Sequence, residues 1–338
     1  MRIRRIKKLD FLKEAYNITQ RLFKKYYKIK IEKTGDSFNN YTFKIVTLNK
    51  NSKKNYNSIK CRYFLKIYDP RFPTSHYHSE VEGIKLANHI KIPVPNIINY
   101  GVKKVINRKH KISFILMSFV NGTSLILNTK SVNKHIIDEV FNVIKKMHSI
   151  TSKEFGPITK KDNSYIKRSN YFLFIKDVFE YAFEKSLSNK QYKPPYDILK
   201  LHNKIGPLIC RNIDKYVFSH KDLNLKHIFV INNCISGIID WEWSLFLDPV
   251  YDYAVFINSL KNDIKNKLYY EYSLNKFLLL YKNYERLLKF HIARESFFHF
   301  VFTHRKNLNK PPYSLVKYTL YQFKELYNSL KRNGVQCI

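Results

Sequence analysis

Glycine and proline are scarce, at 8 and 11 of 338 residues, which leaves little room for low-complexity linkers. No G-K-[ST] triplet occurs, so a Walker A phosphate loop is excluded. The four cysteines, Cys61, Cys210, Cys234 and Cys337, include no C-x-x-C pair. A disulfide framework or a Cys-rich zinc site is therefore not expected, and a reducing compartment is favoured. No stretch approaches the roughly 18 apolar residues that a transmembrane helix requires. The basic start, MRIRRIKKLDFLKEAYNI, carries no apolar core of the kind a secretory signal needs. The expectation is a soluble, cytoplasmic protein without a membrane span. Acidic residues are also few, 26 against 61 Lys and Arg, giving a net charge of +35. A field of that sign attracts nucleic acid, nucleotides or acidic lipid. The lysines are scattered along the whole chain, however, among many Asn, Ile, Tyr and Phe. That favours compositional drift from AT-rich codons, with a nucleic-acid partner as the second reading.

Hydrophobic residues make up 44% of the chain and charged residues 26%, the composition of a folded globular protein. Its length suffices for two domains or one two-lobed unit. The first third reads as strands: Tyr27–Glu32, Tyr41–Leu48, Ile59–Tyr68, Ile97–Val105 and Lys111–Phe119 are β-branched, aromatic and partly alternating. One helix, about Ser75 to His89, interrupts them. Beyond Gly122 the spacing predicts helices over Lys134–Ser149, Tyr171–Ser188, Tyr196–Lys215, Val250–Leu260, Leu274–Phe302 (with a break) and Ser314–Leu330. The expected division is a β-rich N-lobe over residues 1–119 and a helical C-lobe over 120–338.

One β interruption falls inside the helical part. In SHKDLNLKHIFVINNCISGIID two short apolar runs flank Asn232-Asn233, a pair suited to a tight hairpin turn. Pairing Ile231 with Cys234 brings His227 within about two residues of the position opposite Asp240. Asp222 lies just upstream, in the loop feeding the first strand. A carboxylate in a loop, with two metal-ligand side chains at a hairpin mouth, suits phosphoryl transfer. Asp222 could accept or orient a hydroxyl proton. Asp240 could hold magnesium. His227 could be a second ligand or a hydrogen-bonding partner of the loop.

SHKDLNLKHIFV followed by SGIIDWEWSLFLDPVYDYA resembles the catalytic block of the aminoglycoside phosphotransferase and choline kinase-like families, H-x-D-x-x-x-x-N, then apolar-apolar-D, then D-P-x-x-D. The resemblance, over about residues 25 to 305, implies an α+β, two-lobed, protein-kinase-like fold. It implies His220 and Asp222 in the catalytic loop, Asp240 as the magnesium aspartate, and Asp248 and Asp252 in a structural role. His227 stands where the pattern has Asn, and imidazole can replace an amide oxygen at a cation only when unprotonated.

Lys66 is a cation in an otherwise apolar strand. On the next helix Tyr77, Glu80, Ile84 and Ala87 share one face, whereas Glu82 lies about 160° away. A carboxylate on an apolar stripe needs a partner, and Lys66 is the natural one. The resemblance likewise pairs the third-strand lysine with a glutamate of the first large helix. KTGDSFNNYTFKI resembles the nucleotide-covering loop, with Gly35, Ser37 and Asn40 as candidates. ILMSFVNGTSL resembles the hinge, where main-chain groups of Ser118 and Val120 would meet a purine and Met117 would line its pocket. Glu242 and Glu295 are candidate substrate contacts, each weighed against a structural hydrogen bond or ion pair. His76 and His78, two apart on a helix, point away from each other and make a poor metal pair.

The function expected is transfer of the γ-phosphate of ATP or GTP to a hydroxyl of a small molecule, with Mg2+. Choline, ethanolamine or homoserine-type acceptors fit the same motifs as aminoglycosides. Two rivals come from other classes. A protein kinase would show Arg after the loop histidine, D-F-G and A-P-E, whereas this chain has Lys221, IIDWE and no A-P-E. A weakly catalytic or RNA-binding protein on the same scaffold is permitted by the charge and by His227, and opposed by Lys66, Glu80, Asp222 and Asp240. Oligomeric state is not encoded in any motif.

Overall fold

Apolar residues at period two and then at period 3.6 divide the chain into a sheet and a helical body. The structure, a computed structural model, describes residues 11–23, 28–36, 40–48, 59–69, 75–104, 111–159, 168, 170–188, 193–264, 266–303 and 313–333. Ser37, Tyr27, Val105, Cys337 and the first ten residues lie outside the described residues.

The chain opens with a helix, α1 (Phe11–Leu22), where the sequence reading placed no element. Its signal was present: Phe11, Ala15 and Ile18 recur at helical spacing and all three are buried. Five strands follow, β1 (Lys28–Asp36), β2 (Asn40–Leu48) and β3 (Ile59–Tyr68), then, after helix α2 (Ser75–His89), β4 (Ile97–Lys104) and β5 (Lys111–Ser118). They form one antiparallel sheet in the order β1-β2-β3-β5-β4. Alternation assigns its faces. Leu65 and Ile67 of β3 and Ile112 and Leu116 of β5 pack with Phe11, Ala15 and Ile18 of α1. Tyr68, Ile115 and Met117 turn to the other face, against Tyr77, Val81, Ile84 and Ala87 of α2. Lys66 shares the parity of Tyr68, so the strand's own period aims its ammonium at α2.

The remainder is mostly helical. In chain order come β6 (Thr123–Ser124), α3 (Lys134–Met147), β7 (Thr151–Ser152), β8 (Gly156–Pro157), α4 (Tyr171–Leu187), α5 (Asp197–Cys210), β9 (Tyr216–Ser219), β10 (Ile228–Ile231), β11 (Cys234–Ile238), β12 (Leu245–Leu247), α6 (Tyr251–Ser259), α7 (Lys267–Leu280), α8 (Glu285–Thr303) and α9 (Tyr313–Arg332). Asn133, Asn170 and Asn266 cap α3, α4 and α7, each accepting a backbone N–H three residues on. The predicted break in the long C-terminal helix falls at Tyr281, between α7 and α8, with a short 3-10 turn at Lys282–Tyr284. The predicted Tyr196–Lys215 helix is shorter than expected: α5 stops at Cys210 and β9 begins at Tyr216. The helices enclose one apolar core, continuous with the α2 face of the sheet, that includes Phe179, Phe183, Phe290, Phe297 and Phe323. No described helix is long and apolar enough to cross a membrane.

The hairpin β10–β11 has Ile231 opposite Cys234, with Asn232 and Asn233 both left-handed at φ 50° and 59°. A bulge between Phe229 and Val230 shifts the register, placing Ile228 opposite Ile238. The segment leaving the first sheet lies alongside the hairpin as β6, antiparallel to β10. Gly122 makes that approach feasible. Its φ is +103°, and a Cβ there would stand 2.4 Å from the Val230 carbonyl oxygen. Gly122→Ala is therefore expected to cost about 1–3 kcal/mol, from left-handed strain and overpacking together. It would read out as a lower urea midpoint at unchanged m-value; an unchanged midpoint would show that the junction has slack.

Candidate active site

Lys66 sits at the centre of the site, 4% exposed, and its ammonium donates to three carboxylates. Glu80 Oε2 of α2 lies at 2.7 Å, Asp240 Oδ1 at 2.6 Å and Glu242 Oε2 at 2.9 Å. The strand parity of β3 and the apolar stripe of α2 bring the first pair together. The other two carboxylates arrive from the exit of the hairpin. Close approach of α2 to that exit depends on Gly83, where a Cβ would lie 2.7 Å from Ser244 Oγ and 3.2 Å from Trp241 Cβ. Tyr68 also donates its hydroxyl to Glu80 Oε2, and Asn40 Nδ2 donates to Glu242 Oε2 at 2.6 Å.

Burial opposes the charge on Lys66, but Asp240, Glu242 and Glu80 together outweigh it and hold the ammonium well above the ordinary lysine range. Burial also pushes Asp240 up, yet Lys66 and His227 overcome it and hold that carboxyl below the usual range. Glu242 is pushed up to about 7, chiefly by burial, because Lys66 does not cancel the added charges of Asp240 and Glu80. Glu80 is raised by burial as well. The group is one ammonium among three carboxylates, and it titrates as a unit.

His220 and Lys221 begin the loop that carries Asp222, and their backbone N–H groups donate to Asp252 of α6 at 3.1 and 2.8 Å. Lys221 is left-handed at φ 68°, a conformation that costs energy for a residue with a Cβ and that Asp252 holds in place. The buried His220 ring ties the loop to the hairpin. Its Nδ1 accepts the Asp222 N–H at 3.3 Å and its Nε2 donates to the Ile239 carbonyl at 3.0 Å. Burial lowers His220 to about 4, so the ring is neutral at physiological pH. Asp248 is buried and accepts from Tyr171, His291 and the Val250 N–H, a bracing role.

His227 spans the two aspartates. Its Nδ1 lies 2.8 Å from the Asp222 carbonyl oxygen and 3.5 Å from Asp222 Oδ2, and its Nε2 lies 3.4 Å from Asp240 Oδ2. A carbonyl oxygen only accepts, so Nδ1 carries a proton, and whenever Nε2 is unprotonated its lone pair faces Asp240. Two acceptor atoms facing one another at that spacing suit a shared cation. Asp240 thus presents Oδ1 to Lys66 and Oδ2 to His227, from a left-handed backbone at φ 69°. Asp222 is part-exposed, and its Oδ1 accepts from Asn224 Nδ2 at 2.6 Å.

The other sequence candidates are distributed around this centre. Glu242, weighed above as a substrate contact, has its Oε2 taken by Lys66 and Asn40 and belongs to the lysine cluster. Gly35 lies in β1, within the register shift between Lys33 and Asp36. Ser118 N–H donates to the Asn96 carbonyl and its hydroxyl accepts from the Asn96 N–H. Its N–H is therefore already engaged within the protein. The Val120 side chain lies against Gly237. Glu295 of α8 is half-buried and accepts from Tyr251 at 2.7 Å; desolvation, opposed by Tyr251 and Arg294, raises it to about 7. Asp263, raised by burial to about 6 and near enough to feel Lys226 and Asp222, was not singled out from sequence. It sits in a π-helical turn, Leu260–Ile264, that no periodicity announces. The His76 ring packs against Trp243, with centroids 4.2 Å apart and planes tilted by 59°.

The model of the phosphotransferase enzyme family matches residues 31–287. An aminoglycoside 3'-phosphotransferase of Enterococcus faecalis is 29% identical over 213 residues, 62% of this chain and 75% of that protein. One from Staphylococcus aureus is 28% identical over the same shares. A thermostable mutant of aminoglycoside phosphotransferase APH(4)-Ia, in ternary complex with AMP-PNP and hygromycin B, superposes with a TM-score of 0.62 at 13% identity, over 93% of this chain and 98% of that one. The GDP complex of a mutant aminoglycoside 2'-phosphotransferase-IIIa gives 0.58 at 14% identity, over 94% and 97%. These structures share the two-lobed kinase-like fold.

Replacing Lys66 by Met would leave the carboxylates without their cation and is expected to cost about 3–5 kcal/mol at neutral pH. In that variant the carboxyls would titrate higher in the folded than in the unfolded chain, so the folded state would bind more protons and stability would fall as pH rises. Urea midpoints across pH would show the deficit shrinking toward acid; a deficit equal at every pH would contradict the electrostatic account.

Proposed function

The chain belongs to the phosphotransferase enzyme family, and on that premise we propose a small-molecule kinase that moves the γ-phosphate of ATP or GTP to a hydroxyl of a cationic acceptor of the aminoglycoside type. The observation that carries this reading is the His227 ring spanning Asp222 and Asp240, beside a lysine held by Glu80. In this reading residues 1–119 form the nucleotide lobe and residues 120–338 the acceptor lobe.

Asp240 Oδ2 and His227 Nε2 are the groups that would hold Mg2+, a donor set that leaves further positions for phosphate oxygens and water. Magnesium held there would supply positive charge against the negative charge that develops on the transferring phosphoryl group. Lys66 is assigned to the α and β phosphates. All three of its N–H donors are taken, so contact with a phosphate requires one carboxylate to let go. Asp240 is the most open, its side chain 32% exposed against 2% for Glu80 and 11% for Glu242. Ser118 and Val120 are assigned to the purine edge, and Gly35, near the end of β1, to the nucleotide phosphates. Asp222, oriented by Asn224, faces the acceptor hydroxyl and takes or directs its proton. Positioning and charge stabilisation do most of the work in this class of reaction.

Acceptor preference follows from local charge. Although the chain is strongly basic, Asp263 and Glu295 both lie near enough to Asp222 to feel its charge, with Lys226 and Lys221 as partial counterweights. Three carboxylates on the acceptor side favour an amine-bearing substrate, and salt screens the distant lysines over roughly 8 Å. The curated relatives named as aminoglycoside phosphotransferases, and the related structure holding hygromycin B, support the same class.

Asp222→Asn is expected to lower turnover by about 10²–10⁴-fold while leaving the nucleotide Kd within twofold or so. Product mass spectrometry on aminoglycosides, choline, ethanolamine and homoserine, with Mg-ATP and Mg-GTP, provides the assay. Wild-type turnover in the variant would remove Asp222 from the chemistry, and phosphorylation of choline alone would reassign the acceptor. A second expectation concerns pH. Because Glu295 holds its proton below about 7, the acceptor KM should fall as pH rises through that value. Glu295→Gln should flatten the profile and raise KM by about tenfold at the alkaline end, the loss of one charge-assisted contact. An unaltered profile would place Glu295 outside the acceptor site.

A further inference from the structure

A second cluster of metal-ligating side chains lies at the opposite end of the hairpin from the catalytic residues. His135 and Glu139 stand one turn apart on α3, with Nε2 and Oε1 3.8 Å from each other. Cys234, the first residue of β11, adds an exposed thiol, and the three ligand atoms all lie within 4.8 Å of one another. We propose that His135, Glu139 and Cys234 form a zinc site that fastens α3 to the turn of the β10–β11 hairpin.

The surrounding contacts hold the ligands in place. Glu139 Oε2 accepts the Ile235 N–H at 3.0 Å, which orients the carboxylate and leaves Oε1 toward His135. Asn133, the cap of α3, accepts the Ile136 N–H through Oδ1 and donates through Nδ2 to Asn233 Oδ1 at 2.7 Å. Helix start and hairpin turn are thus joined on both sides of the cluster before any ion enters. The two left-handed asparagines of the turn fix where Cys234 emerges.

Ligand chemistry selects the ion. A thiolate, an imidazole nitrogen and a carboxylate oxygen together suit zinc and disfavour the hard ions magnesium and calcium. At ordinary Zn–S, Zn–N and Zn–O lengths, tetrahedral ligand atoms lie roughly 3.3–3.7 Å apart. Small side-chain rotations reach that spacing, and His135 is 57% exposed and able to make them. On binding, the Cys234 S–H proton passes to solvent and an S–Zn bond forms. Three protein ligands leave a fourth position for water. The four residues of β10, at about 3.3 Å each, separate the cluster from His227. It is therefore distinct from the phosphoryl-transfer centre and independent of the reading given to that centre.

The test uses the full chain freed of metal with a chelator, with cobalt as a spectroscopic probe and zinc as the competing ion. Cobalt should give a near-ultraviolet thiolate charge-transfer band that one equivalent of zinc abolishes. Peptide mapping after iodoacetamide should show Cys234 alkylation slowed at least tenfold or so by that zinc. Cys234→Ser should lose the band, and His135→Ala and Glu139→Gln should weaken zinc binding by about tenfold or more. Glu139→Gln retains an acceptor for the Ile235 N–H, and His135 is exposed, so both variants should fold. Octahedral cobalt at Asp240 and His227 carries no thiolate and gives no such band. Equal alkylation of Cys234 with and without zinc, or a band that survives Cys234→Ser, would overturn the proposal.

Discussion

A single buried ammonium ties the molecule's parts to one another. Lys66 comes from the sheet, Glu80 from the helix that covers it, and Asp240 and Glu242 from the segment leaving the hairpin. Burying a cation is tolerable only with close partners, and here the partners come from both lobes. The same lysine therefore sets where α2 lies, where the hairpin ends and how the two lobes face. Its three carboxylates leave two negative charges in excess, which is why burial and mutual repulsion raise Glu80 and Glu242. A group left in that state is complementary to added positive charge, a fit for a divalent cation at the open oxygen of Asp240.

The loop that carries Asp222 is braced from beneath by buried polar groups. Asp252 takes two consecutive N–H groups, one of them on a left-handed residue, and the neutral His220 links the Asp222 backbone to the Ile239 carbonyl. These bonds fix Asp222 and Asp240 relative to one another before substrate arrives, as electrostatic catalysis requires. The chain is basic overall, yet charge around Asp222 is locally acidic. Distant lysines are screened by salt, whereas Asp263 and Glu295 lie near enough to Asp222 to feel its charge.

Much of the architecture was legible because it rests on short-range rules. Period-two alternation located the five strands of the first sheet, and an Asn-Asn pair between apolar runs located the hairpin with its Ile231–Cys234 register. Helix α1 was missed although Phe11, Ala15 and Ile18 mark it, since the basic residues before it obscured a short amphipathic stripe. The strands β6, β7, β8, β9 and β12, two to four residues long, have too few positions to establish a period and exist because neighbours pair with them. Within the candidate site, Lys66 and Glu80 could be matched from parity and helical face. The engagement of Glu242 by the same lysine could not, because a 3-10 turn after Asp240 sets its direction.

By itself the sequence determined the two-part layout, the antiparallel strands, the hairpin and the identity of the groups suited to phosphoryl transfer, since each depends on residues close together in the chain. Tertiary structure decided which side chains share a charge. Lys66 and Asp240 are 174 positions apart, as are Asp263 and Asp222 by 41, and Glu139 and Ile235 by 96. No local rule specifies such meetings; they follow from how the sheet, the hairpin and the helices close on a common core.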